Sequence, residues 1–204
     1  MIKIAAFIIP KRKILFKIIN FKDKIKKKFG FQPYLLHPPH CTLFTMNVSN
    51  KLLTKKKFFN HVKIKNSYST VLSIKKTGVF FNDPITKGNT IYFKIYKTAF
   101  LKILQLELLK IFSKYKINSK NKFKYKWMNK NVKKYGYPFI GIKWIPHFTI
   151  ASLKNIDLNK EKIFIKKFLS KKNNFKEIVK KVHVYKISSE KHIYLWSINI
   201  RLIK

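Results

Sequence analysis

The chain has 204 residues, with 47 Lys and Arg against 7 Asp and Glu, and its formal net charge is +40 at pH 7. Apolar residues make up 46% and aromatic residues 16%, which excludes a disordered polycation and indicates a folded protein with a sizeable core. Arg12 and Arg201 are the only arginines, and the enriched residues are those with A- and T-rich codons. The charge is therefore weak evidence for an anionic partner.

Cys41 is the single cysteine, which excludes an intramolecular disulfide and a multi-cysteine zinc site. The N-terminal sequence MIKIAAFIIPKRK contains an apolar run that is too short for a signal sequence or a membrane span, and we interpret it as a buried first strand. We therefore expect one domain over residues 1–204, a monomer, no membrane association and a cytoplasmic location.

In chain order, apolar periodicity predicts strands and helices that alternate along much of the sequence. Strands are expected at 2–10, 40–46, 69–81, 90–97, 147–152, 178–187 and 192–202, and helices at 12–29, 51–62, 98–115 and 158–170. The order strand-helix-strand followed by helix-strand-helix-strand indicates two similar halves.

One short pattern occurs once in each half. Residues 38–44 read PPHCTLF and residues 146–150 read PHFTI, so Pro-His-Xaa-Thr-apolar appears twice, with histidines 147 − 40 = 107 residues apart. With 7 Pro, 6 His and 9 Thr in the chain, one Pro-His-Xaa-Thr is expected roughly 0.01 times by chance. The pattern therefore points to function at His40, Thr42, His147 and Thr149.

The spacing of the pattern suits a strand that carries chemistry on one face. Successive side chains of a strand alternate, so His40 and Thr42 share one face while Cys41 and Leu43 take the other. Proline is tolerated at the first residue of a strand because it lacks the ladder donor. Each copy thus presents an imidazole and a hydroxyl over an apolar, core-facing side.

Two such strands placed side by side would line a groove suited to phosphate chemistry. Displacing an alkoxide from phosphorus needs a base for the attacking oxygen and an acid for the leaving oxygen. Histidine titrates near neutral pH and can serve as either, while threonine hydroxyls can bind the non-bridging oxygens. This arrangement requires no metal, so we expect no metal or other cofactor.

The twin motifs, in a basic chain of this length, resemble the two-histidine (2H) phosphoesterase superfamily, which includes the 2′-5′ RNA ligase and RNA 2′,3′-cyclic phosphodiesterase proteins. The resemblance implies an α+β, bilobal, pseudo-symmetric fold in which two antiparallel sheets form a central cleft with helices packed outside. It implies that His40 and His147 are catalytic and that Thr42 and Thr149 bind phosphate. The implied enzyme hydrolyses cyclic phosphate ends of RNA or nucleotides to 2′-phosphates and can run in reverse as a 2′-5′ RNA ligase.

Two other functions stay open at this point. The twin motifs could bind RNA or phosphate without turnover, or the same enzyme type could act on 2′-5′ oligonucleotides or small cyclic nucleotides. The remaining histidines belong to no repeated motif. His61, His183 and His192 are expected to be structural, and His37, which precedes the twin prolines, is expected to lie in a loop or at the rim of the cleft.

The sequence NKFKYKWMNK alternates lysines with aromatic residues. Lys122, Lys124 and Lys126 with Phe123, Tyr125 and Trp127 could form a base-stacking surface for single-stranded RNA. We favour a strand that packs its aromatic side chains inward, because alternation is the ordinary signal of a strand.

Overall fold

The structure is a computed structural model. It describes residues 1–55, 59–65, 70–117, 123–171, 173–188 and 191–203. The strands and helices follow the chain as β1 Ile2–Ile8, α1 Arg12–Phe29, β2 Cys41–Val48, α2 Lys51–Thr54, β3 His61–Lys65, β4 Val71–Phe80, β5 Asn89–Ile95, α3 Ala99–Phe112, α4 Lys126–Tyr135, β6 His147–Leu153, α5 Leu158–Leu169, β7 Phe175–Ile178, β8 Lys181–Ser188 and β9 Lys191–Ile203.

Two sheets form within the described residues. One has five strands in the order β2-β1-β8-β9-β3, and the other has four in the order β6-β5-β4-β7. All neighbours are antiparallel except β3 and β9, which pair in parallel. The α+β fold with two predominantly antiparallel sheets, expected from the resemblance, is confirmed, and the parallel pair is an addition to it.

Helices α1, α3 and α5 each pack a buried apolar stripe onto a sheet. In α1 the stripe consists of Ile14, Ile18, Phe21 and Ile25, all buried, and the helix ends at Gly30, which has a φ of 71°. In α3 the helix begins at a cap, because the Thr98 hydroxyl accepts a hydrogen bond from the Leu101 amide at 3.2 Å. Both helices were expected from their periodicity.

Two expectations about local structure are wrong. The helix expected at 51–62 covers only Lys51–Thr54, and His61–Lys65 is strand β3; residues 56–58 lie outside the described part. The strand expected over 122–127 is wrong: the described part, from residue 123, is a bend that leads into helix α4, which begins at Lys126. Tyr125 is 52% exposed rather than packed inward. Lys122 lies outside the described residues. Strand β7 was not expected.

The apolar core runs between the sheets and the helices. It includes Cys41 and Leu43 from β2 and Phe148 and Ile150 from β6, each fully buried. The alternation expected for the two motif strands is therefore observed: the residues next to His40 and His147 face the core. Across the described residues no helix is both long and apolar enough to span a bilayer.

Candidate active site

His40 immediately precedes strand β2 and lies beside the end of β1. The register of β1 and β2 shifts between Ala6 and Phe7, which brings Phe7 opposite Thr42. The Phe7 ring stacks on the His40 imidazole with a centroid distance of 4.0 Å and an interplanar angle of 29°. The shift in register thus gives His40 an apolar support on one face.

His147 has a closely similar environment in the other sheet. The register of β5 and β6 shifts between Ile91 and Tyr92, which brings Tyr92 opposite Thr149. The Tyr92 ring centroid lies 5.0 Å from that of His147, and the ring of Phe80 stacks on Tyr92 at 4.2 Å and also lies 5.1 Å from His147, at 79° to it. The two halves therefore repeat the strand pair, the bulge and the supporting aromatic residue, as well as the motif.

The backbone fixes the same tautomer of both imidazoles. His40 Nδ1 lies 2.7 Å from the Pro38 carbonyl oxygen, and His147 Nδ1 lies 2.7 Å from the Ile145 carbonyl oxygen. A carbonyl oxygen can only accept, so each Nδ1 carries hydrogen and donates it. The neutral ring then has its lone pair on Nε2, which is free to accept a proton, and a protonated ring has an Nε2 hydrogen to donate.

One cavity of about 790 Å³ brings the four motif residues together. His40, Thr42, His147 and Thr149 all line it, although 107 residues of sequence separate the two copies. This volume falls in the range of about 300–1,000 Å³ typical of small-molecule sites. The cavity also has an apolar rim, formed by Phe81, Ile85 and Phe139.

Burial and charge make the two imidazoles unlike each other. The pKa of His40 is lowered to about 4, chiefly by burial and in smaller part by the neighbouring His192, His37 and His147, while the bond to the Pro38 carbonyl acts to raise it. Burial also lowers the pKa of His147, but there the carboxylate of Asp83 acts in the opposite direction and favours the protonated ring. A proton shared by the pair is therefore favoured on His147.

Buried Lys22 holds the loop that leads to His40. Its ammonium donates to the carbonyl oxygens of Tyr34 and His37, at 2.7 and 2.5 Å, and to that of Leu35 at 3.3 Å. Burial lowers the pKa of Lys22 to about 8. Three backbone acceptors from one loop around one buried ammonium fix the conformation of residues 34–37, which precede the prolines and His40.

Buried Asp83 organises the loop that closes the other side of the cavity. Its carboxylate accepts from the backbone amide of Ile85 at 2.8 Å and from the hydroxyl of Thr90 at 2.7 Å. Asp83 lines the cavity together with Ile85 and Thr90. The same carboxylate therefore shapes the 83–88 loop and supplies negative charge near His147.

Hydrogen bonds cross between the two halves of the cleft. The indole nitrogen of Trp144 donates to the Thr42 carbonyl oxygen at 3.1 Å, and the Gln105 side-chain amide donates to the carbonyl oxygens of Leu43 and Phe139 at 2.8 and 3.0 Å. The segment before His147 is thus tied to the strand that carries Thr42. These bonds fix the position of one motif relative to the other.

Sequence reasoning missed four residues of this site: Phe7, Tyr92, Asp83 and His192. His192 was expected to be structural, yet its ring centroid lies 5.2 Å from that of His40, and it lines the cavity. The sequence does place Phe7 and Tyr92, both aromatic, in the strand before a motif. Their contacts with His40 and His147, however, depend on the register in which the strands pair. In the described ranges no group of three or more His, Cys, Asp or Glu side chains is arranged to hold a metal ion.

Comparison with known proteins gives a fold but no sequence match. No protein-family profile and no curated protein matches this sequence. Among solved structures, TT0787 of Thermus thermophilus superposes with a TM-score of 0.68 at 13% identity, over 99% of this chain and 100% of that one. A structure described as a phosphoesterase gives 0.54 at 11% identity, over 97% and 98% of the two chains.

Escherichia coli LigT in complex with NADP⁺ gives a TM-score of 0.50 at 11% identity, over 97% of each chain. These likenesses extend over nearly the full length of both proteins. The fold implied by the resemblance to the two-histidine phosphoesterases is therefore confirmed.

Proposed function

We propose that this chain is a two-histidine phosphoesterase that hydrolyses the 2′,3′-cyclic phosphate end of RNA or of a nucleotide to a 2′-phosphate. The observation that carries the proposal is the repetition of the site: two His-Xaa-Thr units, each with an Nδ1–carbonyl bond and a supporting aromatic ring, line one cavity. A fold shared with a phosphoesterase and with LigT supports the same chemistry.

In the proposed reaction His40 is the base and His147 is the acid. Water attacks phosphorus, its proton passes to Nε2 of neutral His40, and the bond between phosphorus and the 3′-oxygen breaks. Nε2 of protonated His147 gives its proton to that 3′-oxygen, so the ring opens to a 2′-phosphate and a 3′-hydroxyl. The assignment rests on the surroundings of the rings, because His40 lies beside other imidazoles and His147 is favoured in its protonated form by Asp83.

Thr42 and Thr149 are proposed to bind the non-bridging oxygens of the phosphate. Each hydroxyl lies on the same strand face as its histidine and lines the cavity. A hydroxyl that donates to an anionic oxygen keeps phosphorus between the two imidazoles, which is the positioning that an in-line displacement needs.

The same site would support the reverse reaction, in which a 5′-hydroxyl of a second RNA attacks the cyclic phosphate and forms a 2′-5′ linkage. The apolar rim offers a surface for a base next to the phosphate site. LigT has been crystallised with NADP⁺, which is consistent with a nucleotide as ligand in this fold. A 2′-5′ oligonucleotide, a small cyclic nucleotide, or binding of RNA without turnover are the competing possibilities.

The test is turnover of a dinucleotide with a 2′,3′-cyclic phosphate end, in the presence of EDTA, followed by identification of the product. His40→Gln and His147→Gln are each expected to lower kcat by about 10²- to 10⁴-fold, because both an acid and a base are needed. His61→Gln is the matched control, since His61 lies in strand β3 and does not line the cavity.

Three results would contradict the proposal. A wild-type kcat in His40→Gln or in His147→Gln would contradict the two-histidine mechanism. Turnover that EDTA abolishes would indicate a metal-dependent reaction. A protein that binds the dinucleotide and never opens the ring would be a binding module instead.

A further inference from the structure

A pair of aromatic rings lies just outside the cavity, at the start of helix α4. Tyr125 and Trp127 are nearly parallel, with an interplanar angle of 14° and a centroid distance of 6.1 Å. The pair is connected to the cavity through Phe139. The ring centroids of Trp127 and Phe139 lie 6.2 Å apart, and Phe139 lines the cavity. The rings of Phe139, Trp127 and Tyr125 thus form a continuous path from the cavity to the surface, which we call the aromatic path.

Lysine side chains lie over the aromatic path. The ammonium of Lys143 lies 5.7 Å from the Trp127 ring centroid, and that of Lys124 lies 5.8 Å from the Tyr125 ring centroid. Lys143 also lines the cavity. The sequence contains no Asp or Glu between Glu107 and Asp157, so this part of the chain is uniformly basic. A ligand that fits both features has flat aromatic groups and repeated negative charges.

Hydrogen bonds hold the aromatic path in place. The Asn129 side chain accepts from the Phe123 amide at 2.8 Å and donates to the Phe123 and Tyr125 carbonyl oxygens, at 2.8 and 3.3 Å. The Asn131 side chain donates to the Pro138 carbonyl oxygen at 2.8 Å, which ties helix α4 to the segment that carries Phe139. The rings are therefore displayed on a fixed backbone while Tyr125 remains 52% exposed.

We propose that the aromatic path binds single-stranded RNA, with the nucleotides that precede the cyclic phosphate stacked along it. The inference rests on the proposed function, because the reacting 3′ end must occupy the cavity for the preceding nucleotides to leave along these rings. Every base has a stacking face, so binding of this kind is tolerant of sequence. The lysines over the rings contact phosphates of the same strand.

The test is equilibrium binding of an RNA of about twelve nucleotides that ends in a 2′-phosphate, a product that is not turned over, measured by fluorescence anisotropy. Tyr125→Ala and Trp127→Ala are each expected to raise the Kd about 10-fold, and Tyr125→Phe is expected to keep the wild-type Kd because it keeps the ring. Lys124→Gln is expected to reduce the slope of log Kd against log salt by about 0.7.

Tyr96→Ala is the matched control. Tyr96 is also an exposed tyrosine, at 63%, with the Lys75 ammonium 5.9 Å from its ring centroid, and it does not line the cavity. It is expected to keep the wild-type Kd. Thermal unfolding of every variant shows whether a loss of binding follows from a loss of folding.

The inference fails if Tyr125→Ala leaves the Kd of the long RNA unchanged. It also fails if Tyr125→Ala lowers kcat/KM for the dinucleotide by the same factor as it lowers the affinity for the long RNA. The same holds if Tyr125→Ala weakens the binding of duplex RNA equally, since a duplex offers no free base faces. Failure of the proposed function is a different outcome: no turnover of the dinucleotide while long-RNA binding still depends on Tyr125.

Discussion

The two cleft imidazoles have the same backbone bond but different charged neighbours. The ring of His192 lies 5.2 Å from that of His40, and His192 and His37 both lower the pKa of His40, whereas the carboxylate of Asp83 acts to raise the pKa of His147. Two chemically identical side chains can therefore hold a single proton unequally. At the scale of single residues, this inequality decides which histidine starts as the base and which as the acid.

Substitutions of Asp83 and of His192 should move opposite limbs of the pH profile of kcat/KM. This profile reports the pKa values of the free enzyme. Asp83→Asn removes a carboxylate that raises the pKa of His147, so the basic limb, which follows the acid, should move to lower pH. His192→Gln removes a neighbour that lowers the pKa of His40, so the acidic limb, which follows the base, should move to higher pH.

The wild-type profile should be bell-shaped, and burial places its limbs below the ordinary histidine pKa of about 6.5. The Asp83→Asn side chain keeps one oxygen that can accept from the Ile85 amide, and its amide nitrogen can donate to the Thr90 hydroxyl in place of the second oxygen that accepted from it, so the loop is preserved. If Asp83→Asn moved the acidic limb instead, the roles of the two histidines would be reversed.

Threonine substitutions should have smaller effects than histidine substitutions. Thr42→Val and Thr149→Val each keep the side-chain shape and remove one hydroxyl that is proposed to donate to the phosphate, which is expected to lower kcat/KM about 10- to 100-fold. Thr45→Val is the control, because Thr45 lines the cavity on the same strand but lies three residues further along, roughly 10 Å away. If kcat/KM fell further in Thr42→Val or Thr149→Val than in His40→Gln, the assigned roles of threonine and histidine would be wrong.

At the scale of elements, the sequence predicted what depends on local periodicity and missed what depends on pairing. The alternation of His40 and Thr42 against Cys41 and Leu43 is a property of one strand and could be predicted. The neighbours of the histidines come from other strands, and a shift of one residue in register would turn a different side chain toward them. No local pattern encodes the bulges that bring Phe7 and Tyr92 into place.

The error at 122–127 has a related cause. Lysine and aromatic residues alternate there as in a strand, but no neighbouring strand pairs with the described residues of this stretch. Asn129 bonds back to Phe123 and Tyr125, so a helix begins at Lys126. A side chain four residues further along thus decided between two local structures that the alternation alone did not distinguish.

The pairing of β4 with β5 explains why position 78 is glycine. Gly78 pairs with Tyr92, and a Cβ at position 78 would lie 2.6 Å from the Tyr92 hydroxyl oxygen, far inside van der Waals contact. Gly78→Ala should therefore displace the ring that supports His147. We expect kcat to fall on the order of 10- to 100-fold with a smaller change in thermal stability.

Ser73→Ala is a control on the same strand, since Ser73 is small and buried and, among the described residues, its hydroxyl has no hydrogen-bond partner. It is expected to keep wild-type kcat. Unchanged kcat in Gly78→Ala would mean that Tyr92 does not position His147.

At the scale of the whole molecule, acid should destabilise the fold through histidines rather than carboxylates. The sequence has only 7 Asp and Glu, and the pKa of His40 in the folded protein is about 4 because of burial. An unfolded histidine has a pKa of about 6.5, so between pH 6.5 and 4 the unfolded chain binds more protons. The free energy of unfolding should therefore fall as the pH is lowered through this window.

For His40 alone the expected loss is on the order of 2 kcal/mol between pH 7 and pH 5. Urea unfolding at the two pH values measures it, and His40→Gln should show a smaller loss than the wild-type protein. An equal loss in His40→Gln and wild type would show that His40 is not held neutral in the folded protein.

The repeated strand pair has a consequence for symmetry. A twofold dimer of a chain with a single motif would place its two imidazoles in identical surroundings, so that neither could differ from the other in pKa without breaking the symmetry. Here both copies belong to one polypeptide, and each can acquire its own neighbours by independent substitution. Asp83 on one side and His192 on the other are differences of this kind, which a symmetric dimer of identical chains could not carry.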